Sequence, residues 1–357
     1  MEKREDHKPE NTAKHLVIIG GGFAGSYLAK RLENELEVTL IDEKDYFEFT
    51  PSVLRALVEP KHLQKIQVLH SDYLKKINPI LAKVKTIKEH SVILKNKQEI
   101  NYDYLAITSG TRYNTPIKDP CLVIASQSCE LNKYIKKLSK AKRVLIIGGG
   151  IVGVELAAEI AEKYPEKKIQ LMHSHSTLIN RTPKRSQRYS QQYLVKEGVS
   201  IIFNERVEYN NRKYLSTKGK QFPADLVFMC TGVVPNYEHL GYYSSCLNSE
   251  KFLQVNEYLQ VKGEEKIFAA GDIVALHEEK TAQAAEKQAE IVAKNILHHI
   301  YKERLERYEQ KTKPMVISLG KNNGIFIYKQ FVLTGFIPGL LKRIIEWKTM
   351  QRYKARP

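Results

Sequence analysis

Cysteine is scarce: four residues, Cys121, Cys129, Cys230 and Cys246, are scattered over 357 positions with no C-x-x-C pair. That scatter excludes a disulfide framework, a zinc cluster and a dithiol redox centre, and leaves the thiols as small apolar residues. Histidines and acids form no group at metal-ligand spacing either, so no metal is expected. His298 and His299 are adjacent and point apart on a helix. Nowhere is there an apolar run of about 18 residues, so no transmembrane helix is expected. Acidic residues are also in deficit. Forty Asp and Glu stand against 57 Lys and Arg, for a net charge of +17 and a pI near 9.4. Such a surface suits phosphate-bearing ligands, anionic membrane or nucleic acid. The basic residues are scattered and lack the interleaved aromatics that base stacking needs, so nucleic acid is not an expected partner.

The stretch from Met1 to Glu10 is polar and lacks the apolar core of a secretion signal. Position 2 is Glu, so N-myristoylation is not expected. The reading is a disordered segment over 1–13 and a cytoplasmic protein that is not secreted.

Glycine is concentrated in two places. His15-Leu-Val-Ile-Ile runs into Gly20-Gly21-Gly22-Phe23-Ala24-Gly25, and Val144-Leu-Ile-Ile runs into Gly148-Gly149-Gly150-Ile151-Val152-Gly153. Each reads as a buried strand, a G-x-G-x-x-G turn and an Ala/Leu-rich helix. The first glycine permits the tight turn, the second lets backbone approach a pyrophosphate, and the third lets helix and strand pack closely. Free N–H groups at the helix start then hold the anion. Glu37-Val-Thr-Leu-Ile-Asp42 follows the first turn and ends in a carboxylate about 20 residues on, where a ribose diol would lie. The equivalent strand of the second unit, Lys168 to His173, ends in histidine. A carboxylate there would repel the 2′-phosphate of NADPH; His173 does not, and Arg181, Lys184, Arg185 and Arg188 are near in sequence. The second unit is therefore expected to take NADH or NADPH.

The rest of the chain repeats a theme. Tyr102-Asp103-Tyr-Leu-Ala-Ile-Thr108-Ser-Gly110 and Asp225-Leu-Val-Phe-Met-Cys-Thr231-Gly232 are both an acid, a strand and a glycine turn. Lys266-Ile-Phe-Ala-Ala-Gly271-Asp272 is a further buried strand, and a helix follows from Thr281. Residues 91–95 and 98–102 read as a hairpin, Pro116 and Pro120 mark a linker, and a last helix is expected from about Pro338. On it Phe336, Ile337, Leu340, Leu341, Ile344, Ile345 and Met350 recur at helical spacing, with Lys342, Arg343, Lys348 and Arg352 off the stripe and Trp347 at its edge. That pattern suits a helix lying in a membrane interface, cations toward lipid headgroups. The other reading is a helix that docks on its own protein or closes a homodimer.

In this order the pieces resemble the two-dinucleotide-binding flavoproteins. Within them the chain is similar to the ferroptosis-suppressor group, the apoptosis-inducing-factor-like, mitochondrion-associated flavoproteins. The stretches that carry this are Tyr164-Pro-Glu-Lys-Lys-Ile-Gln-Leu-Met-His173-Ser, Val255-Asn-Glu-Tyr-Leu-Gln-Val, Ser318-Leu-Gly-Lys-Asn-Asn-Gly and Trp347-Lys-Thr-Met. Thr281-Ala282-Gln283-Ala-Ala-Glu-Lys-Gln288 looks like type II NADH dehydrogenases, in which matching residues lie between flavin and quinone.

The resemblance implies an α/β fold of two Rossmann-like domains: an FAD domain over 14–119 and 236–300, and an NAD(P)H domain over 120–235. A C-terminal hairpin and amphipathic helix, 301–357, would face membrane and quinone. It places Gly20, Gly22, Phe23, Ala24, Gly25, Asp42, Thr108, Gly110, Gly271, Asp272 and Ala282 on FAD. Gly148, Gly150, Ile151, Val152, Gly153, His173 and Gly232 fall to NAD(P)H. Glu155 would approach the nicotinamide carboxamide and act in catalysis with Gln283 and Gln288. Tyr46, Phe49, Phe326, Phe336 and Lys342 are the quinone-side candidates. With no dithiol beside the first turn, electrons would leave FAD directly for a lipid quinone. The alternatives are a signalling or DNA-binding flavoprotein like apoptosis-inducing factor, and a ferredoxin-type reductase.

Overall fold

The computed structural model describes residues 14–113, 129–210, 213–216 and 218–354. The expected disordered terminus, the Pro116/Pro120 linker and Cys121 lie outside the described residues.

Short β-branched runs between glycine turns make the strands, and Ala/Leu-rich runs make the helices that cover them. In chain order the elements that matter are β1 (His15–Ile19), α1 (Phe23–Leu32), β2 (Glu37–Asp42), β3 (Ile80–Leu81) and β4 (Tyr104–Ile107). Then come β5 (Arg143–Ile147), α2 (Ile151–Lys163), β6 (Lys168–Met172), β7 (Ser200–Ile202) and β8 (Leu226–Met229). β9 (Ile267–Ala269) and α3 (Ala282–Ile300) follow, then β10 (Met315–Leu319), β11 (Asn323–Tyr328), β12 (Phe331–Gly335) and α4 (Phe336–Tyr353).

Two parallel sheets result. The first has the order β9-β4-β1-β2-β3 and the second β7-β6-β5-β8. Their registers correspond: Ile19 lies opposite Ile41 and Ile107, and Ile147 lies opposite Met172 and Met229. Parallel strands buried on both faces read as continuous apolar runs, which is how β1, β4 and β5 are written. Leu16, Val17 and Ile18 are fully buried, as are Leu145 and Ile146. At about 25 cal/mol per Å² of apolar surface removed from water, each such side chain contributes roughly 1.5–3 kcal/mol.

An antiparallel ribbon, Thr111–Tyr113 against Val233–Pro235, joins the two units. The C-terminal part is a three-stranded antiparallel sheet, β10-β11-β12, with α4 against it, where the sequence reading expected a hairpin. β10 also packs on α2 of the second unit, and α4 touches the first unit near Gln67–Leu69. The terminal segment thus roofs the seam between both nucleotide turns. No described helix is long and apolar enough to cross a membrane.

Candidate active site

The two glycine turns are built alike. Gly20 has φ +98° and Gly148 has φ +113°, a left-handed backbone that residues with a Cβ rarely adopt. A Cβ on Gly25 would strike the Gly20 carbonyl, and one on Gly153 would strike that of Gly148. Gly22 and Gly150 differ: nothing lies within 4 Å of where their Cβ would sit. Open space over the second glycine, at the start of α1 and of α2, is the cradle a pyrophosphate requires.

The strand-end side chains tie back to these turns in the same way. Asp42 Oδ2 accepts the Gly21 N–H at 2.8 Å, and His173 Nδ1 accepts the Gly149 N–H at 3.1 Å. Burial works to raise the Asp42 pKa, but the hydrogen bond from His70, Lys44 nearby and the Gly21 amide hold it below the usual carboxylate range. Behind Asp42 runs a buried chain. His70 Nδ1 lies 2.6 Å from the Tyr73 hydroxyl, which donates to Ser26 Oγ at 2.7 Å, which donates to the Gly21 carbonyl at 2.7 Å. Thr108 Oγ1, placed by β4, donates to the carbonyls of Ile19 and Gly20 at 2.8 Å each.

Between the units lies a cleft of about 2090 Å³. From the first unit it is lined by Gly22, Phe23, Ala24, Thr108 and Gly110, and from the second by Gly148, Gly150, Ile151, Val152, His173 and Gly232. Gly271, Asp272, Ala282 and Gln283 form another wall. Asp272 Oδ2 accepts the Thr111 hydroxyl at 3.0 Å. The N-terminus of the 19-residue α3, capped by the Thr281 side chain, opens on the cleft and turns its positive dipole end toward it. Gly20, Gly25 and Gly153 shape the turns from behind, and Asp42 stands outside the cleft wall beside its turn.

Glu155 projects from the second turn of α2 into this space, buried. Its Oε1 accepts the Ser318 N–H at 2.8 Å and the Ser318 hydroxyl at 3.0 Å, and faces Lys342 Nζ at 2.5 Å. Lys342 Nζ also donates to Ser318 Oγ at 3.1 Å. An ammonium has three protons, so one N–H remains for the cleft that Lys342 lines. Of the two places expected for Lys342, lipid headgroups and the quinone side, its position is in the cleft wall. One turn along α2, Glu159 takes Arg55 Nη2 at 2.6 Å, and that nitrogen also donates to the Gly320 carbonyl at 2.7 Å. Burial pushes the Glu159 pKa up, against the pull of Arg55.

Four further site expectations are redrawn. Gln288 does not line the cleft; its Oε1 accepts the Gly271 N–H at 2.7 Å and its Nε2 donates to Glu278 Oε1 at 2.7 Å, so it braces the Gly271 turn. Tyr46 is buried in the core behind the cleft, Phe326 sits on the outer sheet face near Phe331, and Phe336 is 58% exposed. Of the quinone-side candidates only Phe49 and Lys342 line the cleft. Ser318, Arg55 and Glu205, which lines the same cleft, were missed as site residues. Ser318 sat in a quoted family-like stretch; Arg55 and Glu205 carried no signal in the local pattern.

α4 shows two faces. Met350 and Tyr353 are buried, and Tyr353 stacks on Phe47 with ring centroids 4.0 Å apart. Phe336, Ile337, Leu340, Ile344 and Trp347 are exposed, and Lys348 lines the cleft mouth.

Two parallel sheets, each with a phosphate-cradling turn opening on one cleft, define a flavoprotein of the kind that holds two dinucleotides. The chain belongs to the pyridine nucleotide-disulphide oxidoreductase family, whose sequence model matches residues 14–289. It is an FAD-dependent NAD(P)H oxidoreductase of that family, with the α/β fold expected. It is 29% identical to human ferroptosis suppressor protein 1 over 367 residues, covering 96% of this chain and 97% of that protein. Among solved structures, sulfide:quinone oxidoreductase from Aquifex aeolicus superposes with a TM-score of 0.80 at 20% identity, covering 96% of this chain and 92% of the other. NDH2 from Plasmodium falciparum in complex with NADH gives 0.79 at 15% identity, covering 96% and 95%.

Proposed function

We propose that this enzyme passes electrons from NAD(P)H to a lipid quinone of the ubiquinone, menaquinone or vitamin K type, at a membrane surface. The observation that carries the reading is the joining of Lys342, from the terminal helix, to Glu155, from the second nucleotide unit, inside the shared cleft. When bound, FAD supplies the hydride-accepting and electron-donating chemistry; the protein supplies position, exclusion of water and protons. The open second glycines and the α3 N-terminus suit the two pyrophosphates and the electron-rich edge of a flavin.

No cysteine precedes Cys121, so no dithiol stands in sequence beside the first glycine turn, and this speaks against a disulfide route. Among the described residues Cys230 is a buried free thiol whose pKa burial raises to about 12. The acceptor is then a planar molecule that reaches the cleft itself. Lys342 Nζ holds a proton at the cleft surface, and Glu155 and Ser318 fix the ammonium in place. Phe49, buried at the cleft wall, gives that wall an apolar aromatic side chain suited to a planar ligand. The exposed apolar edge of α4 and Lys348 beside the mouth suit contact with an anionic bilayer, from which a quinone would enter. The human relative's near-complete coverage and the quinone named for the Aquifex aeolicus neighbour support the same direction.

The test is steady turnover of NADH with a short-chain soluble quinone by the purified flavoprotein. Turnover confined to a small iron–sulfur protein, or steep salt-dependent DNA binding without turnover, would replace the reading.

A further inference from the structure

His173 is 8% exposed, and its Nε2 is buried with no hydrogen-bond partner, although the residue lines the cleft. Because Nδ1 accepts from the Gly149 amide, a neutral ring carries its proton on Nε2. Burial and neighbouring His175 lower the His173 pKa, which agrees with a neutral ring. A charged ring would place Nδ1–H against the Gly149 N–H. His173 therefore presents an uncharged donor where the first unit, in Asp42, presents a carboxylate.

A second buried polar atom without a partner lines the same cleft: Glu205 Oε2. The Glu205 amide donates to the His173 carbonyl at 3.1 Å, so the two residues are held side by side at the strand ends. The other oxygen of Glu205 faces Lys218 at 3.2 Å, and that lysine is 68% exposed. The cleft end thus offers one unfilled donor and one unfilled acceptor, and leaving either unmatched costs about 1–3 kcal/mol.

We propose that His173 and Glu205 together select the nucleotide: the pair reads an unphosphorylated ribose diol and so favours NADH over NADPH. One hydroxyl oxygen of the diol accepts from His173 Nε2–H, and one hydroxyl donates to Glu205 Oε2. A 2′-phosphate satisfies the first contact and opposes the second, like charge against like charge. Cations nearby do not reverse this: Lys218 meets the other oxygen, Oε1, and is itself 68% exposed. Arg206 is exposed, and Arg181 is 80% exposed and paired with Glu279 at 3.5 Å, so water and salt screen both. Glu205 Oε2 is buried, on a side chain 11% exposed, so it acts through a medium of lower dielectric and dominates.

The inference rests on the second unit binding NAD(P)H, not on the quinone half of the proposed function. Its test therefore uses no electron acceptor. NAD⁺ and NADP⁺ are titrated calorimetrically into the flavin-loaded enzyme. Wild type binds NAD⁺ more tightly. Glu205→Gln removes the opposing charge and moves the NADP⁺:NAD⁺ affinity ratio toward NADP⁺ by about tenfold. His173→Asp moves it the other way by about tenfold, replacing the donor with a second carboxylate. His173→Asn keeps an acceptor for Gly149 and a donor for the cleft, and stays near the wild-type ratio. A ratio that stays within about twofold of wild type in both Glu205→Gln and His173→Asp overturns the selection. So does a wild type that binds NADP⁺ more tightly.

Discussion

Lys342 Nζ and Glu155 Oε1 lie 2.5 Å apart across 187 residues of chain, one on the last helix and the other on the helix that opens the second nucleotide unit. Both are nearly buried, at 12% and 8% side-chain exposure, so neither charge can turn to water without opening the roof of the cleft. The pair is at once a structural tie and the charged centre of the site.

Breaking it should register on both counts. Lys342→Met leaves Glu155 buried with only the two Ser318 donors, and is expected to destabilise the protein by about 3 kcal/mol. Thermal unfolding of the flavin-loaded protein checks this. Glu155→Gln keeps the shape and is expected to slow flavin reduction by NADH by about two orders of magnitude with flavin content unchanged. Reduction at the wild-type rate in a rapid-mixing experiment would remove Glu155 from the site.

The first unit makes a different prediction. Asp42→Ala removes the acceptor for the Gly21 amide and, if Asp42 holds the ribose diol as the sequence expectation has it, for that diol too, and is expected to weaken FAD by about 1–3 kcal/mol. Flavin retained per chain after gel filtration at low concentration reads this. NAD⁺ binding should change little, because the second unit has its own turn.

The exposed edge of α4 is tested with charge. Leu340→Asp with Ile344→Asp should reduce binding to anionic liposomes, since both side chains face solvent. Leu341 and Ile345 are half-buried, so aspartate there would confuse folding with binding. Turnover of a long-chain quinone in liposomes should fall more than turnover of a soluble one. An equal loss on the two substrates would favour a packing role for the helix.

The glycine turns, their strands and the position of Asp42 were legible because each depends on neighbours in sequence and on backbone space. The inward turn of Lys342 was legible only as one of two options, and its pairing with Glu155 was not. Helical spacing shows that a side chain leaves the apolar stripe, but the partner that draws it in lies 187 residues away. Gln283 and Gln288 look equivalent in the sequence. Five residues at about 100° each separate them by about 140° around the helix, so one reaches the cleft and the other the Gly271 turn. Phe326 and Phe336 read as cleft aromatics because the third strand, β12, that sets their faces was not foreseen.

A pH effect follows from the seam. Glu346 on α4 accepts from His62 at 3.1 Å. Burial would raise its pKa, but hydrogen bonds from His62 and Ser52 and the charge of Arg55 hold it below the usual carboxylate range. A depressed folded-state pKa contributes stability that is fully present above the unfolded value and lost as pH falls through the folded one. Wild type should therefore exceed Glu346→Gln in denaturant midpoint near neutrality, and the gap should shrink below about pH 4.5. A gap constant down to acid would show that the carboxylate charge is not what holds the helix.

Electron transfer from the reduced flavin to quinone is tested by the second half of the reaction alone. The flavin-loaded enzyme is reduced anaerobically with one equivalent of NADH, and its colour is then followed after mixing with a short-chain quinone. Yellow is expected to return in a single fast phase that scales with quinone concentration and slows in Lys342→Met. Reoxidation no faster than in anaerobic buffer without quinone would contradict it.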